Sequence, residues 1–462
     1  MKTYKKILLI LITGFTLSCS ESFLELPLQQ SVENAEALTN LEDFQSSITG
    51  IYNEISGSEY YGRYMMLIPD VMADDVKQNA QANRIEDYAE HIVRVSDGDA
   101  LNLWTTMYGA INATNLIINS DVDVPNSVID EQNHIIGEAY ALRGQIYFDM
   151  VRFFAQHYTF TPDASHLGIP IVLTFDPTRE PSRNSVKEVY DQIIMDMTEA
   201  IDLMNTDSRS GNSNTLSSLS VKALLARVYL YKEDWTNAED MATDVITSGE
   251  YSLISNGNYY DLWTQDNSSE SIFEISMTEA DNRGGQGIAG LYLPQAFGDY
   301  LPANDVFSLY TAGDARLSTF EVIDQLRMIK YPDVNGFDNT KVIRLAEMYL
   351  IRAEARAEIG TNISGAQDDL DVVRQRGLPS VPDSAETGEA LKDAIFLQRR
   401  LELAFEGQRL WDLMRKKMDI VRTDCTSQKC LIPYASDTVI LPIPQDETDV
   451  NPNLAQEQNP GY

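Results

Sequence analysis

The sequence predicts a mostly α-helical protein, built on a scaffold of tetratricopeptide-type helical hairpins and carrying a loop-rich insertion with short strands. Apolar residues recur at three- and four-residue steps over long stretches, as on the buried face of a helix. Residues 220–254 repeat the small and large positions of a tetratricopeptide hairpin. Residues 255–341 lose this period and are rich in Gly, Pro and aromatic residues, which predicts loops.

The first segment in chain order is an export signal. Three lysines precede an apolar run that reaches Leu17, and Ser18 and Cys19 follow it. The run is too short for a membrane-spanning helix, which needs about 20 residues. This arrangement resembles a bacterial lipoprotein signal, which implies a signal peptide over residues 1–18 and a lipid on Cys19. An ordinary signal with an incidental cysteine is the alternative.

The next segments carry the helical period. Residues 41–55, 103–119, 135–158 and 185–204 each place apolar residues on one face. The last of these begins with a capping box, Ser185 followed three residues later by Glu188. We therefore expect four amphipathic helices before the repeat.

Two helical hairpins are expected after these helices. In the first, Tyr229 and Ala238 lie nine residues apart, as in a tetratricopeptide repeat. A weaker copy over residues 343–378 keeps Ala357, Ala366 and Leu370 at comparable offsets. Because about a hundred residues separate the copies, the stack has to be assembled from discontinuous pieces.

The charge of the chain excludes one class of partner. It has 70 acidic and 35 basic residues and a formal net charge of −35. A surface this acidic repels nucleic acid and anionic headgroups. We expect no nucleic-acid partner, and membrane attachment would depend on a lipid.

Few residues suggest a metal site. The four histidines show no paired helical spacing, and Cys425 and Cys430 form only half of a zinc site. In an exported protein this cysteine pair is a candidate disulfide, although spacing alone does not establish it. Residues 331–339 place Asp333, Asn335 and Asp338 around Gly336, a weak calcium pattern that a tight turn explains equally well. No cofactor is expected.

Ten motifs in one order along the mature chain resemble the SusD/RagB family. They are SFLELP, WTTMYGAINATNLI, GEAYALRGQIYFDMVRFFA, GIPIVL, EPSRNSVKEVYDQIIMDM, KALLARVYLYKEDWTNA, ESIFEI, IRLAEMYLIRAEA, LQRRLELAFEGQRLWDLMR and the C-terminal LPIPQDE with QNPGY. The family consists of outer-membrane, cell-surface lipoproteins that capture nutrients beside a SusC-like TonB-dependent transporter in Bacteroidetes. The resemblance implies a lipid-anchored binding protein without catalysis, whose helical scaffold faces the transporter.

The resemblance also implies a division of the chain. The signal covers residues 1–18, and an N-terminal helical part with tetratricopeptide-type hairpins covers residues 19–254. A ligand-binding insertion covers residues 255–341, and a C-terminal part that completes the scaffold covers residues 342–462. We expect an oligo- or polysaccharide as ligand, with peptide capture by the same architecture as the alternative.

Aromatic side chains are the first candidates for a glycan site, because sugar rings present apolar C–H patches to aromatic faces. All four tryptophans, Trp104, Trp235, Trp263 and Trp411, fall in helical motifs and are predicted to be core residues. The predicted site therefore uses tyrosines and phenylalanine from loops, with polar neighbours. Its candidate residues are Tyr60, Tyr61, Arg63, Tyr64, Asn79, Tyr292, Phe297, Asp299, Tyr300 and Asn304.

A catalytic alternative rests on Glu402 and Glu406. They lie four residues apart on one predicted helical face, so a paired-carboxylate glycoside hydrolase is conceivable. Neighbouring arginines would hold both groups ionised, however, and general acid catalysis needs carboxyls in different environments. We therefore interpret these residues as part of an ion network rather than as a catalytic pair.

Overall fold

The computed structural model describes residues 38–80, 82–280 and 283–462. The predicted signal peptide and the predicted lipid attachment at Cys19 lie outside these residues. The fold is mostly α-helical, as predicted. Its α-helices are α1 (Leu41–Ile55), α2 (Tyr64–Met72), α3 (Glu86–Ala89), α4 (Gly98–Ile118), α5 (Ile129–Phe154), α6 (Val186–Leu203), α7 (Ser218–Lys232), α8 (Trp235–Ser248), α9 (Asp261–Thr264), α10 (Ile288–Tyr292), α11 (Asn304–Phe307), α12 (Leu345–Ile359), α13 (Ile363–Gly377), α14 (Glu389–Leu403), α15 (Arg409–Arg415), α16 (Gln445–Val450) and α17 (Pro452–Gln456).

Short strands join distant parts of the chain into two-stranded antiparallel sheets. The strands are β1 (Val76–Gln78), β2 (Ser271–Ile275), β3 (Tyr300–Pro302), β4 (Phe320–Val322), β5 (Leu326–Met328), β6 (Thr340–Arg344), β7 (Ile420–Val421) and β8 (Leu431–Ile432). They pair as β1 with β3, β2 with β6, β4 with β5 and β7 with β8. The pairing of β2 with β6 places the start and the end of the predicted insertion side by side.

The long helices form one continuous stack. Helix α1 packs on α4, and α4, α5, α6, α7 and α8 pack each on the next. Helix α8 then packs on α12, which is followed by α13 and α14. The two predicted hairpins, α7–α8 and α12–α13, are thus neighbours in space although about a hundred residues separate them.

The contact between α5 and α6 depends on two glycines one heptad apart. A Cβ at Gly137 would lie 2.5 Å from Met204 Cγ, and one at Gly144 would lie 3.1 Å from Met197 Cγ. Neither glycine has a left-handed backbone conformation, so the close approach of the two helices is the reason for glycine at both positions. Helix α6 begins at the predicted capping box, in which Ser185 and Glu188 exchange hydrogen bonds.

One large hydrophobic core extends from Leu38 to Leu454, and two smaller clusters contain the apolar residues Ala366, Leu370 and Val373 of α13. Trp104, Trp263 and Trp411 are buried and Trp235 is half-buried, so the prediction that the tryptophans pack in the core is confirmed. No helix within the described residues has the length and apolar character that crossing a bilayer requires.

Candidate functional site

Three segments that are far apart in sequence meet on one side of the molecule. They are residues 77–80 and 82–84 after α2, residues 295–305 of the predicted insertion, and residues 422–430 between β7 and β8. We call this region the three-loop surface. Its frame is the pairing of β1 with β3, in which Gln78 lies opposite Tyr300.

Backbone hydrogen bonds extend this pairing to the predicted site residues. The Asn79 amide N–H donates to the Asp299 carbonyl at 2.7 Å, and Asn79 Nδ2 donates to the Gly298 carbonyl at 3.0 Å. The structure thus brings together Asn79, from the segment after α2, and Asp299, from the predicted insertion, as neighbours. Both side chains help to hold β1 and β3 together, since Asn79 is half-buried and Asp299 is buried.

Arg84 is a candidate binding residue that the sequence analysis missed. Its guanidinium lies over the Phe297 ring, 3.4 Å from the centroid, and Nη1 is 3.2 Å from Asp299 Oδ2. The arginine side chain remains 38% exposed, so it is accessible to a ligand. A guanidinium held by a ring and a carboxylate is a fixed donor for paired oxygen acceptors.

The backbone beside Arg84 adopts an uncommon conformation. Ile85 has a φ of 48°, in the left-handed region that β-branched residues rarely adopt. The Tyr300 hydroxyl donates to the Arg84 carbonyl at 2.6 Å and holds this turn. Such strain persists only where the surroundings impose it, and it concentrates at functional sites.

The cysteine loop supports the same frame. Cys425 and Cys430 form a disulfide with a Cα–Cα distance of 5.5 Å. Inside that ring, Thr426 Oγ1 donates to the Gln78 carbonyl at 3.0 Å. Next to the ring, Asp424 Oδ2 accepts from Lys77 Nζ at 2.6 Å and from the Asn304 amide N–H at 2.7 Å.

Arg422 holds this loop against the segment that carries β1. Its guanidinium donates to the carbonyl oxygens of Ala73, at 2.8 Å, and Ala89, at 2.6 Å. Burial lowers the pKa of Arg422 to about 10, so the group is still charged at neutral pH. The loop is therefore attached to both ends of the segment that carries β1.

The five predicted tyrosines are core residues, which corrects their assignment as a stacking platform. Tyr60, Tyr61, Tyr64, Tyr292 and Tyr300 are each at most 3% exposed. The hydroxyls of Tyr60 and Tyr61 both donate to Asp149, and that of Tyr64 donates to Asp99. A ring without an exposed face cannot stack on a sugar, and the sequence pattern of loop aromatics does not distinguish the two roles.

The remaining predicted residues keep some exposure. Arg63 is half-buried beside Gln286, to which its Nη1 donates at 2.9 Å, and it belongs to a different region. Phe297 is half-buried under Arg84, and Asn304 is exposed at the edge of the three-loop surface. Together with Asn83 and Gln295, which are exposed, the surface offers amide and guanidinium groups rather than bare rings.

Larger concavities lie elsewhere, so the assignment of the three-loop surface depends on its chemistry and not on its volume. Clefts of about 730 and 830 Å³ flank the loop of residues 206–213 on the helical scaffold. Their walls carry mainly hydroxyl and carboxylate groups, with Tyr251 as the aromatic side chain of the first. Neither has a guanidinium stacked on an aromatic ring as at Arg84, although Asn267 of the first cleft also has a positive φ, of 52°.

Glu402 and Glu406 do not have the environment of a catalytic pair. Both are buried, and Arg344 contacts both carboxylates, at 2.6 and 2.8 Å. Burial alone would raise the pKa of Glu402, but Arg376, Arg344 and Arg316 hold it well below its usual range. Arg344 and Lys330 likewise lower the pKa of Glu406. Neither group is a proton donor near neutral pH.

The weak calcium pattern forms a turn. The Asp333 amide N–H donates to Asp338 Oδ2 at 2.8 Å, and the Asn335 amide N–H donates to Asp333 Oδ1 at 2.8 Å. Gly336 has a φ of 75° in this turn. Within the described residues, no group of three or more His, Cys, Asp or Glu side chains is placed to hold a metal ion.

Comparisons with known proteins now give the family. A profile described as the SusD family matches residues 326–462, and one described as starch-binding, associating with the outer membrane, matches residues 23–230. A SusD superfamily protein from Bacteroides thetaiotaomicron has 30% sequence identity and a TM-score of 0.84, over 91% of this chain and 100% of that one. The chain belongs to the SusD/RagB family.

Other SusD-like proteins agree with this assignment. SusD-like protein P38 of Formosa agariphila is 27% identical over 90% of this chain and 92% of its own length. A solved structure described as a laminarin-binding SusD-like protein has a TM-score of 0.73 at 24% identity, over 92% of this chain and 100% of that one. The predicted family and the predicted fold class are both confirmed.

Proposed function

We propose that this SusD-like protein binds an oligo- or polysaccharide at the three-loop surface and delivers it to a SusC-like TonB-dependent transporter without chemical change. A lipid on Cys19 would hold the protein at the outer membrane, on the cell surface. The observation that supports this position of the binding site is the arrangement of Arg84, whose guanidinium is held by the Phe297 ring and by Asp299.

The chemistry of the surface suits sugar hydroxyls. Vicinal hydroxyl oxygens accept paired hydrogen bonds, and a guanidinium presents its donors in a fixed fork. Asn83, Gln295 and Asn304 add exposed amides that both donate and accept. Because β1, β3 and the disulfide loop fix the frame, little ordering entropy opposes binding.

Relatives support the ligand class and the location. One family description names starch binding and association with the outer membrane, and one structural neighbour is described as laminarin-binding. The lipid anchor and the transporter partner follow from the family resemblance and from the signal-like N-terminus.

Affinity electrophoresis of the chain from Ser20 onward tests the binding site. The gels contain laminarin, soluble starch, xylan or galactomannan, and casein peptides serve as the non-glycan probe. We expect one polysaccharide to retard the wild type. Arg84→Ala should weaken this retention by about tenfold or more, since hydrogen bonds to charged groups contribute about 1.5–3 kcal/mol and about 1.4 kcal/mol is a factor of ten.

Arg179→Ala is the matched control, because Arg179 is exposed and lines a different cleft. Equal retention of the Arg84 and Arg179 variants would contradict the three-loop site. Binding of peptides without any polysaccharide would change the ligand class, and a shortened glycan after incubation would contradict the absence of catalysis.

A further inference from the structure

A row of four aromatic rings lies outside the three-loop surface. His157, Phe160 and His166 come from the loop that follows α5, and Tyr434 comes from the segment after β8. Ring centroids are 5.7 Å apart between Tyr434 and His157, 6.0 Å between His157 and Phe160, and 5.3 Å between Phe160 and His166. We call these residues the aromatic row.

Hydrogen bonds at the ring edges hold the row rigidly. His157 Nε2 is 2.8 Å from the Tyr434 hydroxyl, and His166 Nδ1 is 2.9 Å from Thr161 Oγ1. His166 Nε2 is also 3.1 Å from the Gln156 carbonyl. Burial lowers the pKa of both histidines, to about 3 for His157, so both rings are uncharged at neutral pH.

The row is apolar at the surface but has a polar edge. Phe160 is 38% exposed and the adjacent Leu167 is 42% exposed. Thr159 and Thr161 lie within the same loop, and Asp163 and Ser165 are exposed beside them. Rigid rings bordered by hydroxyl and carboxylate groups are suited to a ligand with both apolar and hydroxyl-bearing faces.

Uncommon backbone conformations concentrate around the row. Eight non-glycine residues have positive φ in the described part of the chain; Ala164 and Ala435 are two of them, and Glu233 is the left-handed cap of α7. Ala164 and Ala435 lie in the two segments that carry the rings, and Glu233 Oε1 accepts from Thr159 Oγ1 at 3.3 Å. The fold therefore maintains this arrangement at a cost in backbone energy, as it does beside Arg84.

A small cavity of about 10 Å³ lies next to His157, and Arg152 and Trp411 line it. Both are nearly fully buried, at 5% and 3% exposure. Trp411 Nε1 and the Arg152 Nε and Nη1 groups have no acceptor among the described residues. The volume is about that needed for one water molecule, whose oxygen would accept from these donors.

We propose that the aromatic row is a second carbohydrate-binding site, which packs the apolar face of a pyranose chain against Phe160 and Tyr434. The exposed ring of Phe160, the uncharged histidine rings and the hydroxyl-bearing border favour a glycan over a charged protein partner. The site takes its ligand class from the proposed function, and it would let one long polysaccharide contact the protein at two places. Two linked contacts raise the overall affinity beyond that of either.

The test uses the same gels, with Phe160→Ala and Tyr434→Ala as the row variants. We expect each to weaken retention by the bound polysaccharide at least fivefold, and Arg84→Ala with Phe160→Ala to abolish it. Phe175→Ala is the matched control, because Phe175 is 59% exposed and lines a different cleft. Unchanged thermal midpoints establish that the variants are folded.

The outcomes separate the two proposals. Retention that Arg84→Ala weakens but both row variants leave unchanged overturns the second site alone. Retention that the row variants weaken and Arg84→Ala does not overturns the three-loop site alone. A wild type that no polysaccharide retards overturns both, and so does binding of peptides only. A loss with Phe175→Ala equal to that with Phe160→Ala overturns the specific role of the row.

Discussion

At the scale of single residues, Asp338 combines a structural role with an unfavourable charge. Burial and the neighbouring Asp333 raise its pKa to about 7, although the Asp333 amide N–H favours the carboxylate. The unfolded chain ionises the same group near its ordinary value of 3.8. The folded state therefore loses stability relative to the unfolded state as the pH rises from about 4 to about 7.

Asp338→Asn should remove this penalty. We expect its free energy of unfolding to exceed that of the wild type by about 1–3 kcal/mol at pH 8 and to equal it near pH 4, because one pKa unit corresponds to about 1.4 kcal/mol. Urea titrations at several pH values measure the difference. Asp449→Asn, at an exposed carboxyl, is the control. A difference for Asp338→Asn that does not depend on pH would refute the explanation.

At the scale of elements, the loop between β7 and β8 links the disulfide to the binding surface. Thr426 and Ser427 lie inside the disulfide ring and contact Gln78 of β1. β1 in turn positions Asn79 against the insertion. The disulfide therefore orders the loop on which one edge of the three-loop surface depends.

Replacing Cys425 and Cys430 together by serine should act on both stability and binding. Loss of so short a ring should cost about 2 kcal/mol in the free energy of unfolding. Calorimetry with the retained glycan should show affinity weakened several-fold, since the loop must then be ordered on binding. A mild reductant should reproduce both effects in the wild type and have no effect on the double variant. Unchanged affinity of the double variant for the glycan would show that the loop does not support the binding site.

At the scale of the whole molecule, a buried ion network joins the insertion to the helical scaffold. Arg344 contacts Glu270 at 2.8 Å and Glu402 at 2.6 Å, and Arg376 also bridges Glu270 and Glu402. Lys330 of the insertion contacts Glu406 at 2.7 Å. These groups connect β6, α13 and α14 with the insertion across one core.

Glu402→Gln should therefore destabilise the whole chain. Removing one member leaves buried arginines without their counter-charge, which costs about 3–5 kcal/mol. We expect a lower urea midpoint and still one cooperative transition, monitored by tryptophan fluorescence and circular dichroism. Glu389→Gln, at a largely exposed carboxylate, should change stability little. Separate transitions for the two probes would show that the insertion unfolds independently.

Local patterns predicted the scaffold because they act over a few residues. The period of residues 41–55 matches α1 at both bounds, and the capping box starts α6 where the sequence places it. The two tetratricopeptide-type hairpins form as α7–α8 and α12–α13. The order of motifs along the chain was enough to indicate the family.

The composition of the site depended on contacts that no local pattern reports. Arg84 and Phe297 are more than 200 residues apart in sequence and meet only because β1 pairs with β3. Tyr60 and Tyr300 stand among polar loop residues, yet long-range packing buries both rings. The aromatic row likewise joins Tyr434 to the loop after α5.

The sequence by itself therefore determined the helical scaffold, the family resemblance and the acidic composition of the chain. These follow from periodicity, motif order and composition, which the chain carries whatever its final packing. Only the tertiary structure decided which aromatic rings are buried, which arginine is presented outward and which loops the disulfide supports. Those properties depend on burial and on strand pairing between distant segments, and both arise only when the whole chain is folded.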